Sequence, residues 1–260
     1  MSKFIDKLNK LHRAEAQPIG FRIKQPVSPK PKIQLVASLA EENAESLAGN
    51  VAGADAGLLC LSHMNAGIKI LQNISQAMPD IPWGVWLKGS GQGKVEQTMK
   101  AGGDFVVFPA TNTPLSKLHT DEVGKILEVE ASLTEGLLRT ANELPVDAVL
   151  IASEEKEDYF LTWRHLMLFQ RFAGLLNKPL LVSVPAKVTA GELQALWEAG
   201  VDGIVVEVKI GQPQDKLKEL HQVIDKLTYP APRRNEKVRA ILPRIGREAG
   251  EVSEEEGEEE

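Results

Sequence analysis

The sequence predicts a single (β/α)8 barrel, and three observations carry this prediction. Eight short β-rich runs alternate with helical or loop crossovers from Lys32 onward, an order typical of parallel sheets. Four of these runs begin with the similar tags Gly-Ala-Asp-Ala-Gly, Gly-Gly-Asp-Phe, Pro-Val-Asp-Ala and Gly-Val-Asp-Gly. The 260 residues and 43% hydrophobic content suit one barrel, which typically needs about 250 residues. An open doubly wound sheet is the runner-up, but no Gly-rich loop follows the first strand.

The elements follow from hydrophobic periodicity and from the residues that punctuate it. Strands are expected at Ile33–Ser38, Gly57–Ser62, Gly84–Lys88, Phe105–Phe108, Lys125–Glu130, Ala148–Ala152, Leu180–Val184 and Gly203–Val208. Helices are expected at Glu41–Val51, Ala66–Met78, Val95–Ala101, Glu135–Leu144, Asp158–Leu176, Ala190–Ala199 and Pro213–Leu227. The crossover after the fourth strand has room for one or two helical turns only.

The chain divides into three parts. Residues 1–31 hold a short amphipathic helix, with Phe4, Ile5, Leu8 and Leu11 on one face, and a Pro-rich basic connector. Residues 32–229 form the barrel, and the helix is expected to plug its N-terminal end. Residues 230–260 form a basic segment and a Glu-rich tail, which we expect to be disordered.

Charge and composition narrow the class of protein. The net charge of −6 combines an acidic body with basic arms, whereas nucleic-acid binding requires basic residues massed on one face. This charge layout predicts that the protein does not bind nucleic acid. No secretory signal or run of 18 apolar residues is present, which predicts a cytoplasmic protein that does not bind a membrane. Cys60 is the only cysteine, and we assign it to the core. His and acid spacings predict no metal site, and no cofactor is expected.

The chemistry of such barrels lies at the carboxyl ends of the strands. Alternation along the strands turns Trp86 and Lys88, Glu128 and Glu130, and Glu207 and Lys209 inward. Ser38, Ser62, Ser153 and Ser183 are placed near the rim in the same way. A lysine and a carboxylate at one mouth can act as an acid–base pair, or the lysine can form a Schiff base. The alternative is that these charges merely pair with one another inside the barrel.

A Gly-rich stretch follows the third strand. Gly89, Gly91, Gly93 and Lys94 open the next helix, where free backbone N–H groups suit a phosphate or carboxylate. The spacing does not match a P-loop, which needs Gly at position 88 and Ser or Thr at position 95. A mobile loop without a ligand is the alternative interpretation.

The helix at 158–176 has more apolar residues than one buried face requires. Phe160, Trp163 and Met167 are among this surplus, which predicts a homo-oligomer contact.

The run PLLVSV followed by TAGELQALWEAGVDGIVVEV resembles the last two strands of aldolase-type, phosphate-binding TIM barrels. GKILEVEASLTEGLLRTANEL is similar to the fifth-strand unit of indole-glycerol-phosphate synthases, in which an inward Glu is expected. An inward Lys ending the third strand, here Lys88, belongs to the same pattern. The glycine turns that hold phosphate after the last two strands are replaced by Val184-Pro-Ala-Lys and Glu207-Val-Lys-Ile-Gly. The resemblance thus implies the fold and an inward Lys and Glu, without a standard phosphate or FMN site.

These observations lead to two hypotheses. The first is a lyase, aldolase or isomerase that acts on a small anionic metabolite, with Lys88 as acid or Schiff-base lysine and Glu130 or Glu207 as base. Gly89, Gly91, Gly93, Lys94, Ser153, Ser183 and Lys209 are the candidate ligand-binding residues. The second is a non-catalytic barrel that binds a ligand or partner at its mouth and oligomerises through residues 158–176.

Overall fold

The computed structural model describes residues 2–13, 32–61, 64–88, 95–117, 122–152, 160–211, 213 and 215–228. Within them, eight parallel strands close into a barrel in chain order. The strands are β1 (Gln34–Ala40), β2 (Ala56–Leu61), β3 (Trp83–Leu87), β4 (Phe105–Pro109), β5 (Gly124–Val129), β6 (Ala148–Ile151), β7 (Leu180–Val184) and β8 (Gly203–Glu207). The predicted fold class is confirmed.

One helix precedes the first strand, and the others follow the strands around the outside of this barrel. They are α1 (Lys3–Arg13), α2 (Ala44–Leu47), α3 (Met64–Ala77), α4 (Val95–Lys100), α5 (Glu135–Thr140), α6 (Trp163–Leu175), α7 (Ala190–Glu198) and α8 (Lys216–Lys226), with 3-10 segments at Glu41–Asn43, Ala48–Val51 and Leu115–Lys117. The compact unit that contains the barrel extends to Thr228. The Pro-rich connector and the acidic tail lie outside the described residues. None of the described helices is long and apolar enough to cross a membrane.

Three predicted helices differ clearly from the observed ones, and one of them, predicted at Glu135–Leu144, ends already at Thr140. The run from Glu41 to Val51 is broken into a 3-10 segment, the short α2 and another 3-10 segment. Gly49 and Asn50 are poor helix formers, which accounts for the break. The helix predicted from Asp158 begins at Trp163, because the Thr162 side chain accepts a hydrogen bond from the backbone of His165 and the His165 ring bonds back.

The N-terminal helix α1 closes the lower end of the barrel, as predicted. Phe4, Ile5 and Leu8 are buried together with the inward side chains of the strands. The Phe4 ring lies 4.7 Å from the ring of Phe105, measured between centroids. Gly124 leaves room for Ile5 of this helix, because a Cβ atom there would stand 2.5 Å from the Ile5 side chain. The helix therefore leaves only the opposite end of the barrel open to a ligand.

The Asp residues of the four strand-start tags fix this lower end. Asp55, Asp147 and Asp202 each accept a hydrogen bond from the backbone N–H of the preceding strand, at 2.7–2.9 Å. Asp104 instead accepts from Ser2 Oγ and from the backbone N–H groups of Lys3 and Phe4. The Gly-Gly-Asp-Phe tag thus caps the plug helix. The repeated motif is structural and belongs to the end of the barrel away from the mouth.

Candidate functional site

The inward-facing side chains form layers that change from apolar to polar toward the mouth. Because barrel strands are tilted, each layer takes four side chains from alternate strands. In the observed strand registers, one level of the barrel advances by one residue from each strand to the next. The lower layers are apolar: Val36, Gly84, Ile126 and Leu181, and above them Leu58, Val107, Leu150 and Val205. No polar chemistry is available at that depth.

The next layer toward the mouth is polar. It contains Ser38 of β1, Trp86 of β3, Glu128 of β5 and Ser183 of β7. Trp86 Nε1 donates a hydrogen bond of 2.6 Å to Glu128 Oε2. Ser38 and Ser183 are only 4% and 7% exposed. This polar layer is the floor of the barrel mouth, and the indole of Trp86 holds one oxygen of the Glu128 carboxylate in place.

Cys60 lies one level above the polar layer and is partly exposed. Its Sγ is 3.1 Å from Ser38 Oγ, within hydrogen-bond distance. Burial raises the pKa of the Cys60 thiol, an effect opposed by the hydrogen bond from Ser38 and by the positive charge of Lys88. The carboxylates of Glu207 and Glu128 raise that pKa further. One lysine and two carboxylates of the mouth, Lys88, Glu128 and Glu207, thus act on the charge of the Cys60 thiol.

Lys88 follows directly after β3 and is exposed at the mouth. Its Nζ lies over the Trp86 ring, 4.8 Å from the ring centroid. Such a cation–π contact at an exposed position contributes about 0.5–1 kcal/mol. Trp86 therefore contacts both a lysine and a carboxylate, since Lys88 lies over its ring face and its N–H group donates to Glu128.

The other predicted charged residues lie at the rim. Glu130 is exposed one residue beyond β5, and it accepts a hydrogen bond from Ser132 at 3.1 Å. Glu207 ends β8 and forms an ion pair of 3.2 Å with Lys209, both side chains being 57% exposed. Exposed pairs of this kind are worth at most about 1 kcal/mol. These residues can contribute charge to the mouth but are not held as Glu128 is.

Several predicted ligand-binding residues lie outside the described residues. These are Gly89, Gly91, Gly93, Lys94 and Ser153, so the predicted anion site at the start of α4 stays a prediction. Within the described part of the chain, no group of three or more His, Cys, Asp or Glu side chains could hold a metal ion.

The sequence predicts that Trp86 and Glu128 point inward, but it does not distinguish them as candidate site residues. It also assigns Cys60 to the core and not to the mouth. The signal that distinguishes them is height in the barrel. Glu128 lies at the same height in the barrel as Trp86. Glu130 lies two residues farther along the chain, closer to the open end of the barrel, and is exposed to solvent. Height depends on the register between strands, which the pattern within a single strand does not reveal.

Comparison with known proteins gives the fold and no family. No protein-family model matches the chain, and no curated protein matches it. Among solved structures, a mutant tryptophan synthase alpha-subunit from the hyperthermophile Pyrococcus furiosus superposes with a TM-score of 0.57 at 12% identity, covering 75% of this chain and 98% of that one. A 3-hexulose-6-phosphate synthase also gives 0.57, at 20% identity, covering 74% and 100%.

The chain shares the closed (β/α)8-barrel fold of these two synthases. The resemblance predicted from its strand motifs is thereby confirmed at the level of fold. At these identities the activities of the two neighbours do not transfer, and function has to be argued from the mouth of this barrel.

Proposed function

We propose that this barrel is a lyase or isomerase that acts on a small anionic carbonyl compound bound at its mouth. The observation that carries the proposal is the Trp86 contact with both Lys88 and Glu128. A fixed carboxylate and a nearby ammonium group are the two partners that proton transfer next to a carbonyl requires. The two solved structures that share the fold are synthases, which is compatible with an enzymatic role for this barrel.

In the proposed step, the Glu128 carboxylate takes the proton from the carbon next to the carbonyl group. The Lys88 ammonium donates a hydrogen bond, or its proton, to the carbonyl oxygen as the electron pair moves onto it. In isomerisation, the carbon that loses its proton bears a hydroxyl group, so the product is an enediol; Glu128 returns the proton to the former carbonyl carbon, and the hydroxyl group on the other carbon loses its proton to become the new carbonyl group. In lyase chemistry, Glu128 instead takes the proton of a hydroxyl group two carbons from the carbonyl group. The carbon–carbon bond between them breaks, and its electron pair forms the enol whose oxygen Lys88 protonates. Glu128 replaces Glu130 and Glu207 as the proposed base, because it is half-buried and held by an N–H donor.

The experiment is solvent-deuterium incorporation into a panel of keto acids and sugar phosphates, followed by NMR. The wild-type chain is expected to exchange the hydrogen next to the carbonyl of at least one compound. Lys88→Met and Glu128→Gln should each reduce the rate by about 10²–10⁴-fold, the usual contribution of an acid or base. Lys226→Met and Glu219→Gln make the same charge changes on exposed positions of α8 and should leave the rate unchanged.

A non-catalytic, ligand-binding barrel is the second candidate. It is favoured by the ion pair between Glu207 and Lys209, through which charges at the mouth satisfy one another. Binding of an anion without any deuterium incorporation, in the wild type and in Glu128→Gln alike, would support this second function and contradict the first.

A further inference from the structure

The hydroxyl group of Ser183 is an unexplained feature of the mouth. Ser183 lies near the end of β7, is 7% exposed, and its Oγ has no hydrogen-bond partner within the described part of the chain. A buried polar group without a partner costs about 1–3 kcal/mol, so such groups are rare unless something else binds them. The packing of the barrel does not use this hydroxyl.

The position of Ser183 places that hydroxyl in the polar layer. Its neighbours along the inner face, Leu181 and the register partner Val205, both belong to the apolar interior of the barrel. The side chain at 183 therefore points to the same interior one level higher. Ser38, Trp86 and Glu128 share this level, and no lysine or arginine does.

The composition of the layer selects one chemical class. A phosphate or carboxylate at this depth would face the Glu128 carboxylate with no cation at the same height, which is unfavourable in a partly buried site. A hydroxyl group can donate to Glu128 and also exchange hydrogen bonds with Ser183 and Ser38, since serine both donates and accepts. Two described lysines of the mouth, Lys88 and Lys209, both follow the ends of their strands and stand farther out than this layer, and Lys209 is already paired with Glu207.

We infer that Ser183, Ser38 and Glu128 form a subsite for the uncharged, hydroxyl-bearing end of the ligand, whose anionic end remains on the Lys88 side of the mouth. The inference rests on the proposed function in so far as both require a small anion at this mouth. It adds the orientation of the ligand and the requirement for a hydroxyl group, which the acid–base reaction alone does not demand.

The test compares two probes that share an anionic end and differ only in hydroxyl groups, glycerol 3-phosphate and propyl phosphate. Affinities are measured by calorimetry on the full chain. Cys60 is the only cysteine, so protection of its thiol from iodoacetamide, read by intact mass, locates binding at the mouth. The variant is Ser183→Ala, and the matched control is Ser46→Ala, an exposed serine on α2.

Glycerol 3-phosphate is expected to bind more tightly than propyl phosphate, and Ser183→Ala should weaken it by about three- to tenfold, the value of one neutral hydrogen bond. Propyl phosphate affinity should not change in that variant. Thermal stability of Ser183→Ala should equal or exceed that of the wild type, because the hydroxyl has no partner to lose. Ser46→Ala should bind both probes as the wild type does.

Equal binding of the two probes, with Cys60 protected by both, would overturn the subsite and leave the anion-binding mouth intact. A loss of stability in Ser183→Ala without a change in affinity would also overturn it, because the hydroxyl would then serve the fold through an ordered water. Failure of both probes to protect Cys60 would count against the subsite and the proposed function together.

Discussion

Replacement of Trp86 by Phe tests whether the indole holds Glu128 in place. In the wild type, Trp86 Nε1 donates a hydrogen bond of 2.6 Å to the carboxylate. Phenylalanine keeps an aromatic ring at this position and removes the donor. The variant is therefore expected to lower the free energy of unfolding by more than the loss of apolar area explains.

The magnitude follows from the charge of the acceptor. Hydrogen bonds to ionised groups contribute about 1.5–3 kcal/mol, roughly twice the value for neutral pairs. Trp83 provides the matched control, because it lies on the same strand and is 1% exposed, and its Nε1 has no hydrogen-bond partner among the described residues. Both variants lose the same atoms, so Trp86→Phe should be less stable than Trp83→Phe by about 2 kcal/mol.

The assay is urea unfolding at neutral pH, complemented by thermal unfolding. For a domain of this size, about 2 kcal/mol corresponds to a difference of roughly 4–8 °C between the two melting temperatures. A double-mutant cycle with Glu128→Met isolates the pair, because the cost of Trp86→Phe should fall once the carboxylate is gone. Equal stability of the two tryptophan variants, or a cycle without coupling, would refute the assignment of Trp86 as the group that positions Glu128.

Three further predictions concern the thiol, the plug helix and the exposed helix face. Alkylation of Cys60 should reach its half-maximal rate at a higher pH than alkylation of an ordinary thiol, because burial raises the pKa of Cys60. Lys88→Met should move this midpoint to a still higher pH, since the lysine charge lowers the pKa of the thiol. A pH profile identical to that of free cysteine would contradict this prediction. Asp104→Ala removes three hydrogen bonds to the start of α1 and should lower the free energy of unfolding, measured in urea, by about 1–2 kcal/mol. An unchanged midpoint of urea unfolding would refute the capping role of Asp104. Trp163 and Met167 are 81% and 71% exposed on α6, and we propose that this face joins copies of the chain. Light scattering should show an oligomer for the wild type and a monomer for the double variant Trp163→Ser, Met167→Gln. A monomeric wild type would refute this proposal.

Much of the fold could be predicted because its determinants are local. The apolar run at Leu180–Val184 appears in the structure with the predicted bounds, and the plug helix follows from four apolar residues at helical spacing. The interval from Glu41 to Val51 could not be predicted as well. Its apolar spacing fits a helix, but Gly49 and Asn50 have low helix propensity, Gly because it loses more backbone entropy and Asn because its side chain competes for backbone hydrogen bonds.

The site was predicted less completely for a different physical reason. Alternation along a strand gives the face of each residue, and it correctly turned Trp86 and Glu128 inward. Ser183, which was expected near the rim, is buried in the polar layer instead. It does not give the height of a residue relative to those on neighbouring strands, which depends on register and tilt. Glu128 and Glu130 therefore looked equivalent in the sequence, although only Glu128 meets the indole of Trp86 and only Glu130 is fully at the surface.

The single thiol offers the most direct measurement of the central claim, that one mouth both binds and converts a small anionic carbonyl compound. Whichever compound exchanges its hydrogen for solvent deuterium should protect Cys60 from iodoacetamide. Protection and exchange should become half-maximal at the same concentration of that compound, because both report occupancy of the same site. An exchanging compound that leaves the alkylation rate of Cys60 unchanged, or a panel in which no compound protects the thiol, would contradict the account.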